Sequence, residues 1–383
     1  MRRPVLTLLA AASALALCGP LAAQPRPAPA DGQAPGPEAT TPLEAAERRA
    51  VVEALAERLE ARFVFPDTGR KYAQTLRANL AAGAYETLTD PVAFASKLTD
   101  DLQAVSPDRH LRVGLRRPGG PGAAGAPGSA SQARRGPMMQ GPAIERSGWI
   151  APGVAYIRFN MFPGDPETVA AARKFMLDHA DAKAVIIDAR GHRGGGMDEM
   201  DAMLPLLYAQ PATLVRMDTR ADVARGMPEA PATMPLREAP ATVERRDHVV
   251  TPDVQEKRLQ DAQVYYLTSK LTGSAAEHLA LALKRTGRGK LVGETTGGAG
   301  HYGGMNPIGE RFAAFIPVGR TYDPDTNKGW EAVGVTPDVA VPATEALERA
   351  LQMAGVDAAA IPAAVAAAGA PTSWERPVRR PAA

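Results

Sequence analysis

The stretch VYYLTSKLTGSAAEHLALALKRTG, residues 264–287, joins a strand pattern to a helix pattern at Ser274. Its opening residues are β-branched and aromatic, which suits a buried strand, and Gly273 permits a sharp turn. Beyond the turn, four apolar side chains share one helical face: Ala276, Leu279, Ala280 and Leu283. A strand that passes directly into a helix predicts an α/β fold.

Ser274 at this joint has two interpretations. A hydroxyl at a helix N-terminus lies among free backbone N–H groups and at the positive end of the helix dipole, where a developing oxyanion is stabilised. Glu277 follows three residues later, however, and this spacing forms a capping box that needs no catalysis. The local sequence favours the cap, so the role of Ser274 depends on the rest of the chain.

Another pattern, of a strand, a helix and a strand in that order, precedes this stretch. Residues 154–159 alternate as a strand would, residues 167–179 have a helical pattern, and the apolar run 184–187 leads into the glycine-rich loop RGHRGGG. This order again predicts an α/β unit. Residues 218–263 are polar and interrupted by prolines, and we expect them to decorate the core.

Composition divides the chain into six segments. The helical spacing of apolar residues predicts an N-terminal helical domain, and residues 118–147 are rich in glycine and poor in β-branched residues. We therefore expect a signal peptide (1–23), a flexible leader (24–42), a helical domain (43–117), a low-complexity loop (118–148), a core (149–357) and a disordered tail (358–383).

The N-terminus has the pattern of an export signal. Arg2 and Arg3 precede an apolar stretch over residues 5–17, and Ala22 and Ala23 offer a cleavage site. Cys18, the single cysteine, follows a leucine and so departs from a lipoprotein site, and its removal would exclude disulfides from the mature chain. We expect a periplasmic or secreted protein.

Charge gives no sign of a polyanionic partner. The chain has 44 basic and 42 acidic residues, and the two counts are equal without the first 23 residues. This balance argues against nucleic acid and anionic membranes as partners, and no segment after the signal is apolar enough to span a membrane. The oligomeric state cannot be read from the sequence.

A serine nucleophile needs a base, and the residues alone do not choose it. His192 and His301 occupy glycine-containing loops, His278 lies one turn after Ser274, and His110 follows the helical region at the start of a strand. Each could equally be a structural histidine.

Five motifs occur in an order that resembles the tail-specific, or C-terminal processing, serine protease family. They are DLQAVSPDRHLRV, GWIAPGVAYIRFNMF, AVIIDARGHRGGG, VYYLTSKLTGSAAEHLALALKRTGRGKLVGETTGG and WEAVGVTPDVAV. The similarity is greatest to the branch with interphotoreceptor retinoid-binding protein and to tricorn-type members. It implies a crotonase/Clp-protease-like spiral ββα core with an N-terminal helical domain.

The resemblance also assigns roles to residues. Ser274 takes the place of the nucleophile, His110 that of the general base, and Glu331 that of the acidic residue that orients the catalytic groups. Backbone N–H groups of Gly194, Gly195 and Ala275 would form the oxyanion hole. Asp188 and Arg190 are expected to form a structural ion pair.

Two departures from the family refine these expectations. Ala299 stands where serine/lysine members carry the dyad lysine, which argues for a histidine base. The segment 118–147 is too short and too rich in glycine for the family's PDZ module, so we expect none. The implied function is a serine endopeptidase that acts on peptides or proteins through an acyl-enzyme, without metal or cofactor. A non-proteolytic binding protein for a hydrophobic ligand and a small-substrate esterase or amidase remain alternatives.

Overall fold

The computed structural model describes residues 41–116 and 141–372. The helices are α1 (Ala45–Arg62), α2 (Pro66–Ala81), α3 (Pro91–Val105), α4 (Pro166–Asp178), α5 (Asp198–Leu207), α6 (Ala221–Ala224), α7 (Ala275–Arg285), α8 (Ala346–Met353) and α9 (Ile361–Ala368). The strands are β1 (Arg112–Leu115), β2 (Ile144–Ala151), β3 (Val154–Phe159), β4 (Ala184–Asp188), β5 (Ala212–Arg220), β6 (Leu236–Arg237), β7 (Val243–Val250), β8 (Gln263–Thr268), β9 (Lys290–Gly293), β10 (His301–Ile308), β11 (Phe312–Tyr322) and β12 (Val339–Ala340).

The first three helices form the expected N-terminal helical region. Proline opens α2 and α3, where its missing N–H costs nothing, and the Asp90 side chain accepts a hydrogen bond from Ala93 N–H at 2.6 Å. Their apolar faces share one core with strands β10 and β11, and Leu55, Phe94 and Phe312 are fully buried in it. The helices therefore pack on a sheet that the rest of the chain supplies.

That first sheet has the order β1-β11-β5-β7-β6, and β10 also pairs with β11. Strand β1 lies antiparallel to β11, with Arg112 opposite Phe315. Because β1 directly follows His110, this pairing fixes the candidate base relative to the C-terminal half of the chain.

The second sheet has the order β12-β9-β8-β4-β3-β2 and is parallel from β3 to β12. Strands β3 and β4 are buried along their whole length, as expected for parallel strands covered on both faces. Strands β4 and β8 are neighbours, with Asp188 opposite Leu267. The glycine-rich loop and the Ser274 turn leave these two strands at the same edge, so they meet there.

The mixed α/β fold with its helical N-terminal region is confirmed, whereas three expectations about single segments need correction. Residues 218–263 are not decoration, because they supply β6, β7 and the end of β5 to the first sheet. Helix α9 lies inside the expected disordered tail and buries Ile361, Ala364 and Ala368. Strand β2 begins inside the expected loop. The signal-peptide, leader and most of the loop expectations lie outside the described residues.

No helix within residues 41–116 and 141–372 is both long enough and apolar enough to cross a membrane.

The expected pair of Asp188 and Arg190 belongs to a buried network at the end of β4. Asp188 is fully buried and accepts hydrogen bonds from Arg190 Nη2 at 2.7 Å, Arg158 Nε at 3.0 Å and Tyr156 Oη at 2.6 Å. Burial acts to raise the pKa of Asp188, but the two guanidinium groups outweigh it and hold that pKa below its usual range. The ion pair that the sequence predicted is therefore present, and a structural role for the network is our expectation.

We expect Asp188→Asn to lower the free energy of unfolding by about 3–5 kcal/mol, because it removes the buried carboxylate charge that faces two buried guanidinium groups. Chemical denaturation measures this change. Asp178→Asn is the matched control, since Asp178 pairs with Lys174 on the surface and should cost under about 1 kcal/mol. Equal stability of the two variants would contradict the structural role of the network.

Candidate active site

Ser274 has a strained main-chain conformation. It precedes α7 with φ 56° and ψ −120°, a region that residues with a side chain rarely adopt. Such a conformation costs about 1–3 kcal/mol and persists only where the surroundings enforce it. A serine on a strained turn between a strand and a helix is typical of the nucleophile of α/β hydrolases.

Glu277 holds this turn in place. Its buried carboxylate accepts hydrogen bonds from the N–H groups of Ser274 (2.8 Å), Ala299 (2.8 Å) and Gly298 (2.7 Å), and from Thr296 Oγ1 (2.6 Å). Burial raises the pKa of Glu277, and these hydrogen bonds act against that rise. Glu277, the partner of Ser274 in the predicted capping box, thus also ties the loop 296–299 to the candidate nucleophile.

Gly194 lies directly against Ser274. A Cβ atom at position 194 would lie 2.6 Å from Ser274 Cβ and 3.2 Å from its Oγ, so only glycine fits. Gly195 is equally constrained on its other side, where a Cβ would meet the carbonyl oxygen of Phe162 at 1.9 Å. These glycines therefore allow the loop after β4 to pass between Phe162 and Ser274.

The three predicted oxyanion donors differ in their hydrogen bonds. The N–H of Gly194 donates to His192 Nδ1 at 3.0 Å. Among the described residues, the N–H groups of Gly195 and Ala275 have no hydrogen-bond partner. Gly195 and Ala275 are accordingly the two donors that could receive an oxyanion in this conformation.

His110, the predicted base, lies just before β1. Its ring stacks on Phe315 with 5.1 Å between centroids, and its Nδ1 atom is buried without a hydrogen-bond partner among the described residues. Burial lowers the pKa of His110 to about 4. The ring is therefore neutral at physiological pH and able to accept a proton. No hydrogen bond joins it to Ser274 within the described part of the chain.

Glu331 lies beside His110 and contacts the main chain next to it. Its carboxylate accepts hydrogen bonds from the N–H groups of Arg109 (2.7 Å), Gly300 (2.7 Å) and His301 (2.9 Å). The Glu331 carboxylate, expected to orient the catalytic groups, makes no hydrogen bond to the ring of His110 among the described residues, and its Oε2 lies 3.8 Å from His301 Nδ1. It instead holds the main chain on both sides of the site, which the sequence could not distinguish.

Asp108 and His301 form a carboxylate–imidazole pair that sequence analysis missed. Asp108 Oδ2 lies 2.7 Å from His301 Nδ1, and Asp108 Oδ1 accepts hydrogen bonds from the N–H groups of His110 (2.9 Å) and Leu111 (3.0 Å). The only sequence signal was the glycine-rich setting of His301. The pair makes His301 a second histidine with an oriented ring near the site.

These contacts connect the candidate base to the candidate nucleophile. Asp108 and Glu331 hold residues 109–111 and bind the loop at 300–301. The same loop reaches Glu277 through the N–H of Ala299, and Glu277 holds Ser274. Ala299, which stands where related dyads carry lysine, therefore contributes its main chain to the site.

One group within the described ranges could hold a cation. Ligand atoms of Asp108, His301 and Glu331 all lie within 4.8 Å of one another. Asp108 and His301 already form a hydrogen bond with each other, and the Glu331 carboxylate accepts hydrogen bonds from main-chain N–H groups. The possible ligand atoms of this group are therefore already engaged in hydrogen bonds.

His278 lies in a separate buried chain of hydrogen bonds. Its Nε2 is 2.7 Å from His248 Nδ1, and His248 Nε2 is 2.7 Å from Asp201 Oδ1. Burial lowers the pKa of His278 well below its ordinary value. The chain ties α7 to α5 and β7. Sequence analysis assigned His248 no role because it did not predict β7.

We expect the free energy of unfolding to fall as the pH drops below about 6.5. The pKa of His110 is about 4 and that of His192 about 3 in the folded protein, both lowered by burial. Between these values and the unfolded value of about 6.5, the unfolded chain binds more protons, so acid favours unfolding.

Denaturation curves from pH 8 to pH 3 test this expectation, and His110→Asn is the comparison. Without this buried ring, the free energy of unfolding should fall less between pH 6.5 and pH 4, by up to about 3 kcal/mol. Parallel curves for the two proteins would contradict the burial of a neutral His110.

Sequence models of two families match the chain. That of peptidase family S41 matches residues 153–341, and that of the N-terminal domain of S41 peptidases in eukaryotic IRBP matches residues 45–139. A carboxyl-terminal-processing protease of Picosynechococcus sp. is 26% identical over 192 residues. That match covers 49% of this chain and 39% of the length of the relative.

Two solved structures share the fold. The photosystem II D1 C-terminal processing protease matches with a TM-score of 0.50 and 16% identity, over 82% of this chain and 98% of that one. A protein of Parabacteroides merdae with a peptidase designation matches with a TM-score of 0.50 and 16% identity, over 83% and 96% of the two chains. With two family models that span both regions of the chain in order, this protein belongs to peptidase family S41.

Proposed function

We propose that this protein is an exported serine endopeptidase that cleaves peptide bonds through an acyl-enzyme on Ser274. One observation carries the proposal. Ser274 is held at φ 56° before α7 and lies against Gly194, and the residue after each of them, Ala275 and Gly195, has an N–H group without a hydrogen-bond partner among the described residues. A helix cap alone needs neither the strained main chain nor a glycine packed against the side chain. A strained turn that exposes the serine hydroxyl beside backbone N–H donors is instead typical of a nucleophile next to an oxyanion hole.

In the proposed reaction, Ser274 Oγ attacks the carbonyl carbon of a peptide bond while His110 accepts the hydroxyl proton. The N–H groups of Gly195 and Ala275 bind the resulting oxyanion. The tetrahedral intermediate then expels the amine, which takes the proton from His110. Water, activated by the same ring, attacks the acyl-enzyme and releases the acid and Ser274.

Asp108 and Glu331 support this assignment through the main chain. They bind the N–H groups of His110 and Arg109, so they hold the base segment against the loop that leads to Ser274. Phe315 fixes the plane of the His110 ring. The hydrogen bond between His110 and Ser274 would form when substrate binds, since catalytic hydrogen bonds are often long in the absence of substrate.

His301 is the competing base. Its Nδ1 has the carboxylate partner that His110 lacks, which is the arrangement of a serine protease triad. His110 is preferred because burial keeps its ring neutral and because its motif resembles that of the histidine base in tricorn-type members of the family. The two assignments predict different variants to be inactive.

Export rests on the first 23 residues, whose basic, apolar and small-residue segments follow the order of a signal peptide. The N-terminal sequence of the protein recovered from the periplasm or the medium tests it. A mature chain that begins after Ala23 is the expected result, and retention of residues 1–23 would contradict export.

The class of substrate is tested with the purified protein, a denatured protein such as casein, and simple p-nitrophenyl esters. An endopeptidase should release internal fragments of casein, identified by mass spectrometry. Hydrolysis of the esters without cleavage of any peptide bond would identify an esterase or amidase instead. Absence of both reactions would support a binding protein.

A further inference from the structure

His192 lies in the glycine-rich loop between β4 and α5, and the mechanism above does not use it. The side chain is fully buried, and its ring packs edge-on against Phe162 with 4.2 Å between centroids. Burial lowers the pKa of His192 to about 3. The ring is therefore neutral, with a lone pair on one nitrogen and a proton on the other.

Two hydrogen bonds join His192 to both halves of the candidate site. Its Nδ1 accepts the N–H of Gly194 at 3.0 Å, and its main-chain carbonyl accepts the N–H of Gly273 at 3.0 Å. Because Gly194 is the donor, Nδ1 must carry the lone pair and Nε2 the proton. Nε2 is buried without a partner, so the Nδ1 contact is the one polar contact of this ring within the described residues.

The direction of the Gly195 N–H follows from these contacts. The carbonyl of Gly194 accepts the N–H of Phe162 at 2.9 Å, and the N–H of Gly196 donates to the carbonyl of Phe162 at 2.7 Å. In a planar trans peptide the next N–H points opposite to the carbonyl. The N–H of Gly195 therefore points away from Phe162, and His192 and Phe162 together fix the peptide that carries it.

We propose that His192 is the positioning residue of the oxyanion hole: its Nδ1 holds the N–H of Gly194 so that the N–H of Gly195 is free for the oxyanion. This inference rests on the proposed function. In this proposal Gly194 allows close packing on Ser274 and orients the peptide that carries the Gly195 N–H. The N–H groups of Gly195 and Ala275 then donate hydrogen bonds to the oxyanion. A 1 Å displacement of such a group can cost about 10²-fold in rate.

The hydrogen bond between Gly194 N–H and His192 Nδ1 could also have the opposite role, in which the ring blocks the N–H of Gly194 as an oxyanion donor. If Gly194 were the true donor, its hydrogen bond to the ring would hold the site in an inactive form. Removal of the ring acceptor would then accelerate the reaction. The two roles therefore predict changes of opposite sign.

Three substitutions test the inference in the full-length mature protein. His192→Asn keeps an acceptor oxygen near the position of Nδ1, His192→Gln moves the acceptor outward toward the position of Nε2, and His192→Leu removes it at similar volume. The readouts are the second-order rate of labelling of Ser274 by a fluorophosphonate and the melting temperature. A fluorophosphonate places its P=O group in the oxyanion hole, so its rate reports on the donors.

We expect His192→Asn to react within about 5-fold of wild type, and the Gln and Leu variants to react about 10²-fold more slowly at similar melting temperatures. If the Leu variant does not fold, the contrast between Asn and Gln decides. Equal rates for all variants, a faster Leu variant, or an Asn variant as slow as Leu would each overturn the role of His192. Failure of the wild-type protein to label would overturn the proposed function itself, which separates the two outcomes.

Discussion

The Ser274→Ala variant is expected to lose essentially all labelling by a fluorophosphonate and all peptidase activity, a drop of roughly 10⁴-fold or more. The hydroxyl oxygen is the atom that forms the covalent bond in the proposed mechanism, and no other group can replace it there. The helix should nevertheless begin at the same residue, because Glu277 binds the main-chain N–H of residue 274 rather than its side chain. Peptide hydrolysis and intact-protein mass spectrometry after labelling measure the loss.

A second substitution at the same position separates catalysis from conformation. Ser274→Gly should also be inactive, but glycine adopts φ 56° without strain, so we expect this variant to be more stable than Ser274→Ala by about 1 kcal/mol. Substantial activity in either variant would show that the bond-forming oxygen lies elsewhere. Equal stability of the two would contradict strain at this turn.

The second large effect is expected from the base. Replacing His110 with alanine should lower kcat/KM by about 10³-fold or more, because the hydroxyl of Ser274 then keeps its proton as it attacks. His301→Ala is the matched control, and it should retain much more activity since that ring is not the base in our proposal. An inactive His301→Ala variant together with an active His110→Ala variant would exchange the two roles.

The pH profile gives an independent test of the same assignment. The acid limb of kcat/KM reports the base in the free enzyme. Burial lowers the pKa of His110 to about 4, so activity should persist to a pH near 4 before it declines. An acid limb near 6.5, the ordinary value for histidine, would contradict His110 as the base. Unfolding must be followed at each pH, since the buried histidines also destabilise the fold in acid.

The sequence was informative where a short stretch determines its own structure. The strand, turn and helix around Ser274, the cap at Glu277 and the glycines at 194 and 195 all follow from local spacing and from the absence of side chains. The order of these motifs was sufficient to identify the family. Features that depend on residues close together in the chain were therefore predicted from the sequence.

Contacts between distant segments could not be predicted in this way. Asp108 and His301 are 193 residues apart in the chain, and the sequence assigned neither a partner. The Glu331 carboxylate was expected to orient the catalytic groups, but its hydrogen bonds to the main chain of Arg109, Gly300 and His301 could not be predicted, because the direction of a side chain depends on loops whose geometry is set by tertiary packing. His248 was overlooked for a different reason: the polar composition of its segment concealed a strand of the first sheet.

The antiparallel pairing of β1 with β11 has a consequence for folding. Strand β1 adjoins His110, and its partner follows only after residue 311, while the carboxylate that holds Arg109 is 222 residues further along the chain. Contacts of such high sequence separation form slowly, and a chain still emerging from the ribosome cannot make them. Ser274 and His110 would thus be brought together only after almost the whole polypeptide has been completed. A nascent chain therefore lacks the contacts by which Asp108 and Glu331 join residues 109–111 to the loop at 300–301, and the proposed site can be complete only once synthesis has passed residue 331.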